Sequence, residues 1–85
     1  MSNLSEEFAA AAQTIQRLGK RPDNATLLTV YALYKQATAG DCAGSRPGMF
    51  DMVGQAKYDA WAKLKSTSAE TAMQQYIDLA ARLKS

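Results

Sequence analysis

Residues 31–41, YALYKQATAGD, set two tyrosines and one lysine inside a run that otherwise reads as a buried helix. At about 100° per residue, Leu27, Thr38, Tyr31, Lys35 and Leu28 fall side by side around that helix, so Lys35 occupies the middle of its most apolar arc. Thr29 and Gln36 mark the solvated face, where a purely structural sequence would place its cation. Leu28, Tyr31 and Lys35 follow i, i+3 and i+7, an apolar groove leading up to a positive charge on one wall. Val30, Leu33, Tyr34 and Ala37 carry apolar surface around the other side, so the helix is expected to have neighbours on two sides. Asp23 or Asn24 can cap its start, and Gly40 offers the C-terminal stop.

On the N-terminal side, Ser5 reads as a cap with Glu6 and Glu7 in the first turn. Phe8, Ala11, Ala12, Ile15 and Leu18 then recur at helical spacing until Gly19. The run Ala9 to Ala12 reads as close helix packing. Lys20-Arg21-Pro22-Asp23 is a linker, because the proline disfavours helix in the residue before it.

On the C-terminal side, residues 40–53, GDCAGSRPGMFDMV, hold three glycines and one proline and form a long loop that Met49, Phe50 and Met52 can anchor. Such a loop in a small domain is either functional or a crossover between helices. A third helix is expected over 54–65, with Ala60, Leu64, Lys57 and Trp61 together and Gln55, Asp59 and Lys63 opposite. Lys57 alone reads as a side chain whose stem lies on the core while its ammonium reaches water. Lys35 and Lys57 together, on adjoining helices, read better as a shared anion site.

Ser66-Thr67-Ser68 breaks and recaps the chain. A fourth helix over 69–83 puts Ala69, Ala72, Met73, Tyr76, Ile77, Ala80 and Leu83 on one face. Tyr76 lies near its centre, so its hydroxyl needs a partner wherever it is covered. Strand-like alternation is absent throughout, which predicts an all-α fold of four helices.

At 85 residues the chain is expected to be a single domain over 1–85, and 47% apolar with 21% charged residues is globular composition. With no histidine and with Cys42 as the one cysteine, intramolecular disulfides, the usual zinc and haem ligand sets and a Ser-His or Cys-His nucleophile are excluded. No catalytic residue, metal or cofactor is expected, and hence no enzyme. From Arg17 to Lys65 eight Lys and Arg stand against four Asp and Glu, +4, while the remaining residues carry two against four, −2. A basic middle with acidic ends suits one anionic ligand better than nucleic acid. No apolar run approaches a membrane span, and the start of the chain lacks a secretory pattern, so a cytoplasmic protein without stable membrane insertion is expected.

A hydrophobic groove, two lysines within apolar faces, and Tyr31, Tyr34 and Tyr76 are answered together by a ligand with an anionic head and a long apolar tail. The stretch YALYKQATAGD, then RPGMFDMVGQAKYDAW and AMQQYIDL, resembles the acyl-CoA-binding protein family in order and spacing from Phe8 to Leu83. That resemblance implies a four-helix up-down-down-up bundle that acts as a monomer. It also implies buffering and transport of medium- to long-chain acyl-CoA esters without chemical change. By position, Lys35 would neutralise the 3′-phosphate of the CoA head, with Tyr31 near the adenosine and Lys57 also on the head group. Gln16, Tyr34 and the Tyr76 hydroxyl would complete the head-group site, and Ala12, Leu27, Leu28 and Ala56 would line the acyl groove. The family commonly carries lysine where this chain has Gln16, Val53 and Gln55, and tryptophan where it has Tyr58. The competing expectation is a helical protein-interaction module whose groove receives an apolar partner helix. A thioesterase ranks below both, for want of a nucleophile with a base.

Overall fold

Four short polar side chains start the helices. Asn3 Oδ1 accepts the Glu6 N–H at 2.8 Å, Asp23 Oδ1 that of Thr26 at 2.8 Å, Asp51 Oδ1 that of Gly54 at 2.9 Å, and Ser68 Oγ that of Thr71 at 3.1 Å. Each satisfies one N–H that the first helical turn leaves without an intrahelical partner. The helices of this computed structural model, which describes residues 3–84, are α1 Leu4–Gln16, α2 Asn24–Ala39, α3 Met52–Ala62 and α4 Ala69–Lys84. No strand occurs among the described residues. Asn3 takes the capping role expected of Ser5, because its amide reaches the N–H three residues on. Asp51 caps α3, which starts at Met52, two residues before Gly54, and the Asp51 carboxylate fills the space that a Cβ at position 54 would need. Gly40 ends α2 at φ +83, ψ −152, a conformation that L side chains rarely adopt.

Side-chain pairs between helices fix the topology. Tyr31 meets Lys57, Lys35 meets Trp61, and the Gly40 carbonyl accepts the Trp61 indole N–H at 2.8 Å. Residue numbers rise together in these pairs, so α3 runs parallel to α2, and the crossover from Gly40 to Asp51 brings the chain back. The short linker and the Phe8–Tyr34 contact make α1 antiparallel to α2, and the Gln36–Thr67 bond brings the end of α2 to the start of α4. The result is the expected up-down-down-up bundle.

Packing within it is serial. Helix α4 packs on both α1 and α2, and α2 packs on α3, whereas α1 makes no close backbone approach to α2 or α3. The Cα trace is accordingly thin, 44 × 29 × 14 Å. The core of Phe8, Ala11, Leu33, Ala37, Ala72, Tyr76 and Ala80 comes from α1, α2 and α4 alone. Phe8 stacks on Tyr34 with ring centroids 5.4 Å apart and meets the Tyr76 ring edge-on at 4.9 Å. Of the four alanines, Ala11 is buried and Ala12 partly so, while Ala9 and Ala10 face solvent.

Polar ties hold the rest. Gln36, expected on the solvated face, is 1% exposed. Its Nε2 donates to Asp41 Oδ1 and to the Thr67 carbonyl, both at 2.8 Å, and Asp41 Oδ1 also accepts the Ser66 N–H at 2.8 Å. Periodicity places an amide on the polar side of a helix; partners 5 and 31 residues away meet the Nε2 of this one, while its buried Oε1 has no hydrogen-bond partner among the described residues. The crossover is fastened to α3 by the Arg46–Asp59 pair, Nε–Oδ1 and Nη2–Oδ2 both 2.9 Å. Gln55 Nε2 adds a bond to the Pro47 carbonyl at 3.0 Å, and the Tyr58 hydroxyl one to the Gly44 carbonyl at 2.9 Å. Met49, Phe50 and Met52 do not anchor it: they are 74%, 99% and 76% exposed. With hydrogen bonds already holding the crossover, its apolar side chains are left outside.

Gln36→Ala strands the Asp41–Thr67 junction, and the expected cost is about 2 kcal/mol, read as a fall in Tm by far-ultraviolet circular dichroism; an unchanged Tm would remove Gln36 from the framework. The bonds from Gln36, then Ser66, hold the Asp41 carboxyl below the ordinary range, and Arg46 does the same for Asp59. Carboxylates lowered on folding contribute stability that is complete above the unfolded value of about 4 and fades as pH falls through the folded one. Between about pH 5 and pH 2, urea midpoints of Asp41→Ala should therefore fall less steeply than those of the parent chain, and parallel slopes would contradict the linkage.

Candidate functional site

The gap that serial packing leaves between α1 and α3 is a cavity of about 810 Å³. Its size lies within the range of small-molecule sites. Ala12, Ile15 and Gln16 of α1 form one wall, Met52, Val53, Ala56 and Lys57 of α3 the other, and α2 supplies the floor with Asn24, Leu27, Leu28, Val30, Tyr31 and Tyr34. Tyr76 reaches it from α4 and Arg21 from the linker. Residues one turn apart on α2, Leu27–Tyr31–Tyr34 and Leu28–Tyr31, make this floor because α4 occupies the neighbouring stripe of Ala32, Leu33, Gln36 and Ala37.

Nine of the ten residues singled out in the sequence line this cavity: Gln16, Tyr31, Tyr34, Lys57, Tyr76, Ala12, Leu27, Leu28 and Ala56. Lys35 does not. It is half-buried one turn beyond Tyr31, its Nζ 5.0 Å from the centroid of the Trp61 ring. Lys57 is exposed, its Nζ 5.2 Å from the centroid of Tyr31. The two contacts are successive rungs across the α2–α3 seam, each a cation over an aromatic face. Within each helix the partners are four residues apart, so the rungs lie one turn from each other. Lys35 is therefore a seam residue above the cavity, a placement that the wheel of a single helix cannot distinguish from the groove itself.

Tyr76 is 3% exposed, and burial, with Tyr34 beside it, pushes its phenol up. Among the described residues its hydroxyl has no protein partner in a hydrogen bond, and the ring lies at the cavity floor. Residues that helical spacing missed are Ile15, Arg21, Asn24, Val30, Met52 and Val53. Ile15 and Val30 were already legible as apolar helix positions. Arg21 and Asn24 lie where the linker meets α2, and Met52 and Val53 belong to a first turn of α3 that the glycine-rich reading had assigned to the loop. Gln55 and Tyr58, two of the positions where the family commonly differs, both commit their polar atoms to the crossover. Cys42 sits there too, its Sγ 4.0 Å from the Tyr58 carbonyl and away from the cavity lining.

A second hollow of about 510 Å³ lies between α2, α3 and Gln75 of α4. It has no tyrosine, and its cation, Lys63, is accompanied by Asp59. Of the two, the first joins a long apolar floor to Arg21 and Lys57.

Comparison with known proteins agrees with this geometry. The profile of the family described as Acyl CoA binding protein matches residues 5–80. An acyl-CoA-binding protein homolog of Drosophila melanogaster is 47% identical over 74 residues, covering 87% of this chain and 86% of its own. Enoyl-CoA delta isomerase 2 of Rattus norvegicus is 46% identical over 85 residues, and there the chain spans 22% of the relative's length. The crystal structure of Oryza sativa acyl-CoA-binding protein 2 superposes with a TM-score of 0.91 at 38% identity, over 95% of this chain and 90% of that one. The chain belongs to the acyl-CoA-binding protein family.

Proposed function

We propose that this chain binds long-chain acyl-CoA esters without changing them and so buffers and carries them. The observation that supports it most is the cavity itself, whose apolar floor of Leu27, Leu28 and Val30 runs from the linker, where Arg21 lies, to Tyr31 and Lys57. The acyl tail lies along Ala12, Leu27, Leu28 and Ala56. Each buried methylene contributes about 0.8 kcal/mol in transfer terms, so retention grows with tail length until the groove is filled. The adenine of the head stacks on Tyr31, and the Tyr76 and Tyr34 hydroxyls and the Gln16 amide meet polar atoms where tail and head join.

The phosphates follow the α2–α3 seam. Lys57 stands at the cavity edge and Lys35 one turn further on, each ammonium resting on an aromatic ring that keeps it off the core while leaving it open to a phosphate oxygen. Two spaced cations match a head group whose phosphates are themselves spaced, and a free fatty acid would engage neither rung. Single-domain action over residues 1–85, a monomeric state, a cytoplasmic location and independence of any cofactor belong to the same reading. A partner helix in this groove would have use for both lysines only if it were acidic, and the family matches favour the ester.

Lys57→Met keeps the stem and removes the charge; in titration calorimetry it should weaken palmitoyl-CoA binding about tenfold, roughly 1.4 kcal/mol, with little change for free palmitate. The same factor in both ligands would assign Lys57 to the tail instead. Ala56→Trp fills the groove and should lower palmitoyl-CoA affinity at least about tenfold while free CoA is affected less. The reading as a whole fails if palmitoyl-CoA binds no better than palmitate or CoA alone.

A further inference from the structure

Four large apolar side chains stand in water where the crossover enters α3. Phe50 is 99% exposed, Met52 76%, Met49 74% and Val53 66%. Among the described residues they are the most exposed large apolar side chains, with Tyr34 next at 43%. They do not dangle. The Asp51 N–H donates to the Gly48 carbonyl at 2.9 Å, the Pro47 carbonyl accepts from Gln55, and the Asp51 carboxylate is turned back onto the Gly54 N–H. The segment is a pinned turn that presents Met49 and Phe50 outward, with the one acid in it facing its own helix.

Two cations share the cavity that Met52 and Val53 line, while Asp51, the acid of the turn, is engaged by the Gly54 N–H. Lys57 follows Val53 by one turn of α3, and Arg21 lines the same cavity as Met52 and Val53. Both cations are exposed. Two bulky apolar residues at the apex of a turn, with cations on the adjoining helix and linker, have the make-up of an interfacial anchor: the apolar groups enter the boundary of the acyl chains while Lys and Arg meet anionic head groups. A convex apex of this kind fits a fluid layer, which closes around it, better than the groove of a folded partner. No described helix is long and apolar enough to cross a membrane, so the attachment is peripheral.

We propose that Met49, Phe50, Met52 and Val53 form a docking tip for the surface of an anionic phospholipid bilayer. Because Met52 and Val53 belong both to the tip and to the cavity lining, docking sets the cavity mouth against the bilayer. An acyl tail then passes between lipid and protein along a continuous apolar path. This last step rests on the ligand reading above; the docking itself does not.

The test uses the ligand-free chain and sucrose-loaded vesicles of phosphatidylcholine, with and without about 30% phosphatidylserine, at about 0.1 M salt. The expected result is co-sedimentation with the anionic vesicles that weakens at high salt, and a bound fraction at least about fivefold lower for Met49→Ser/Phe50→Ser. Phe50→Trp should keep docking and bring tryptophan emission that brominated lipids quench beyond the level of the parent chain. Neither Met49 nor Phe50 lines the cavity, so the double variant should retain its helical circular dichroism and its palmitoyl-CoA affinity. Equal sedimentation of parent and double variant, or equal binding to neutral vesicles at all salt concentrations, overturns the proposal. Self-association of the parent in sedimentation velocity that the double variant abolishes also overturns it, since the tip would then be a protein contact. Docking that persists where palmitoyl-CoA binding fails supports the tip and overturns the ligand reading alone.

Discussion

Gln36 joins three parts of the chain that lie far apart in sequence. Its amide sits near the end of α2, fully covered, and its two hydrogens go to the first residues of the crossover and to the turn before α4. A buried amide is costly unless it is bonded, so the position of each partner is constrained as strongly as that of Gln36 itself. Asp41 passes the constraint on by accepting the N–H of Ser66, a residue at φ +74 whose conformation needs such support. Once these ends are tied, α4 must descend beside α2, and α3 must lie on the side of α2 that α4 leaves open.

The cavity follows from this arrangement. A closed ring of four helices would fill its centre with side chains, whereas a serial packing of α1 on α4, α4 on α2 and α2 on α3 leaves the first and third helices facing each other across a gap. Helix α3 contributes no fully buried residue and is held by polar ties and by two lysine–aromatic rungs. The same rungs that fasten α3 to α2 carry the charge that a phosphate would meet. Stability and recognition thus draw on the same side chains at the seam, while the core of Phe8, Leu33, Ala72 and Tyr76 bears the packing.

Which features were legible in advance depended on how local their cause is. The four helices and their apolar faces came from spacing alone, as did the tyrosines and Lys57 of the cavity, since a helix fixes which residues share a side. The wheel set Gln36 in water, where it is buried, and it led the groove up to Lys35, which rests on Trp61 one turn beyond the cavity lining. Neighbouring residues on one helix differ by 100°, and only the directions from which α3 and α4 approach decide which becomes seam and which becomes core. The helix starts at Asn3 and Asp51 were missed because Ser5 and Gly54 are equally plausible as text, and only backbone geometry shows whose side chain reaches an N–H.

By itself the sequence determined that this chain forms four amphipathic helices, that it holds no histidine and one cysteine, and that its positive charge is concentrated between Arg17 and Lys65. These depend on composition and on contacts within a few residues. The tertiary structure decided the rest: that Gln36 is buried, that Lys35 rests on Trp61, and that Met49 and Phe50 stand in water rather than anchoring the crossover. Each of these is an interaction, or its absence, between residues distant in the chain, and hydrophobic periodicity carries no record of where a second element will pack. The groove between α1 and α3 belongs to the same class, for it is made by two helices whose backbones do not approach each other.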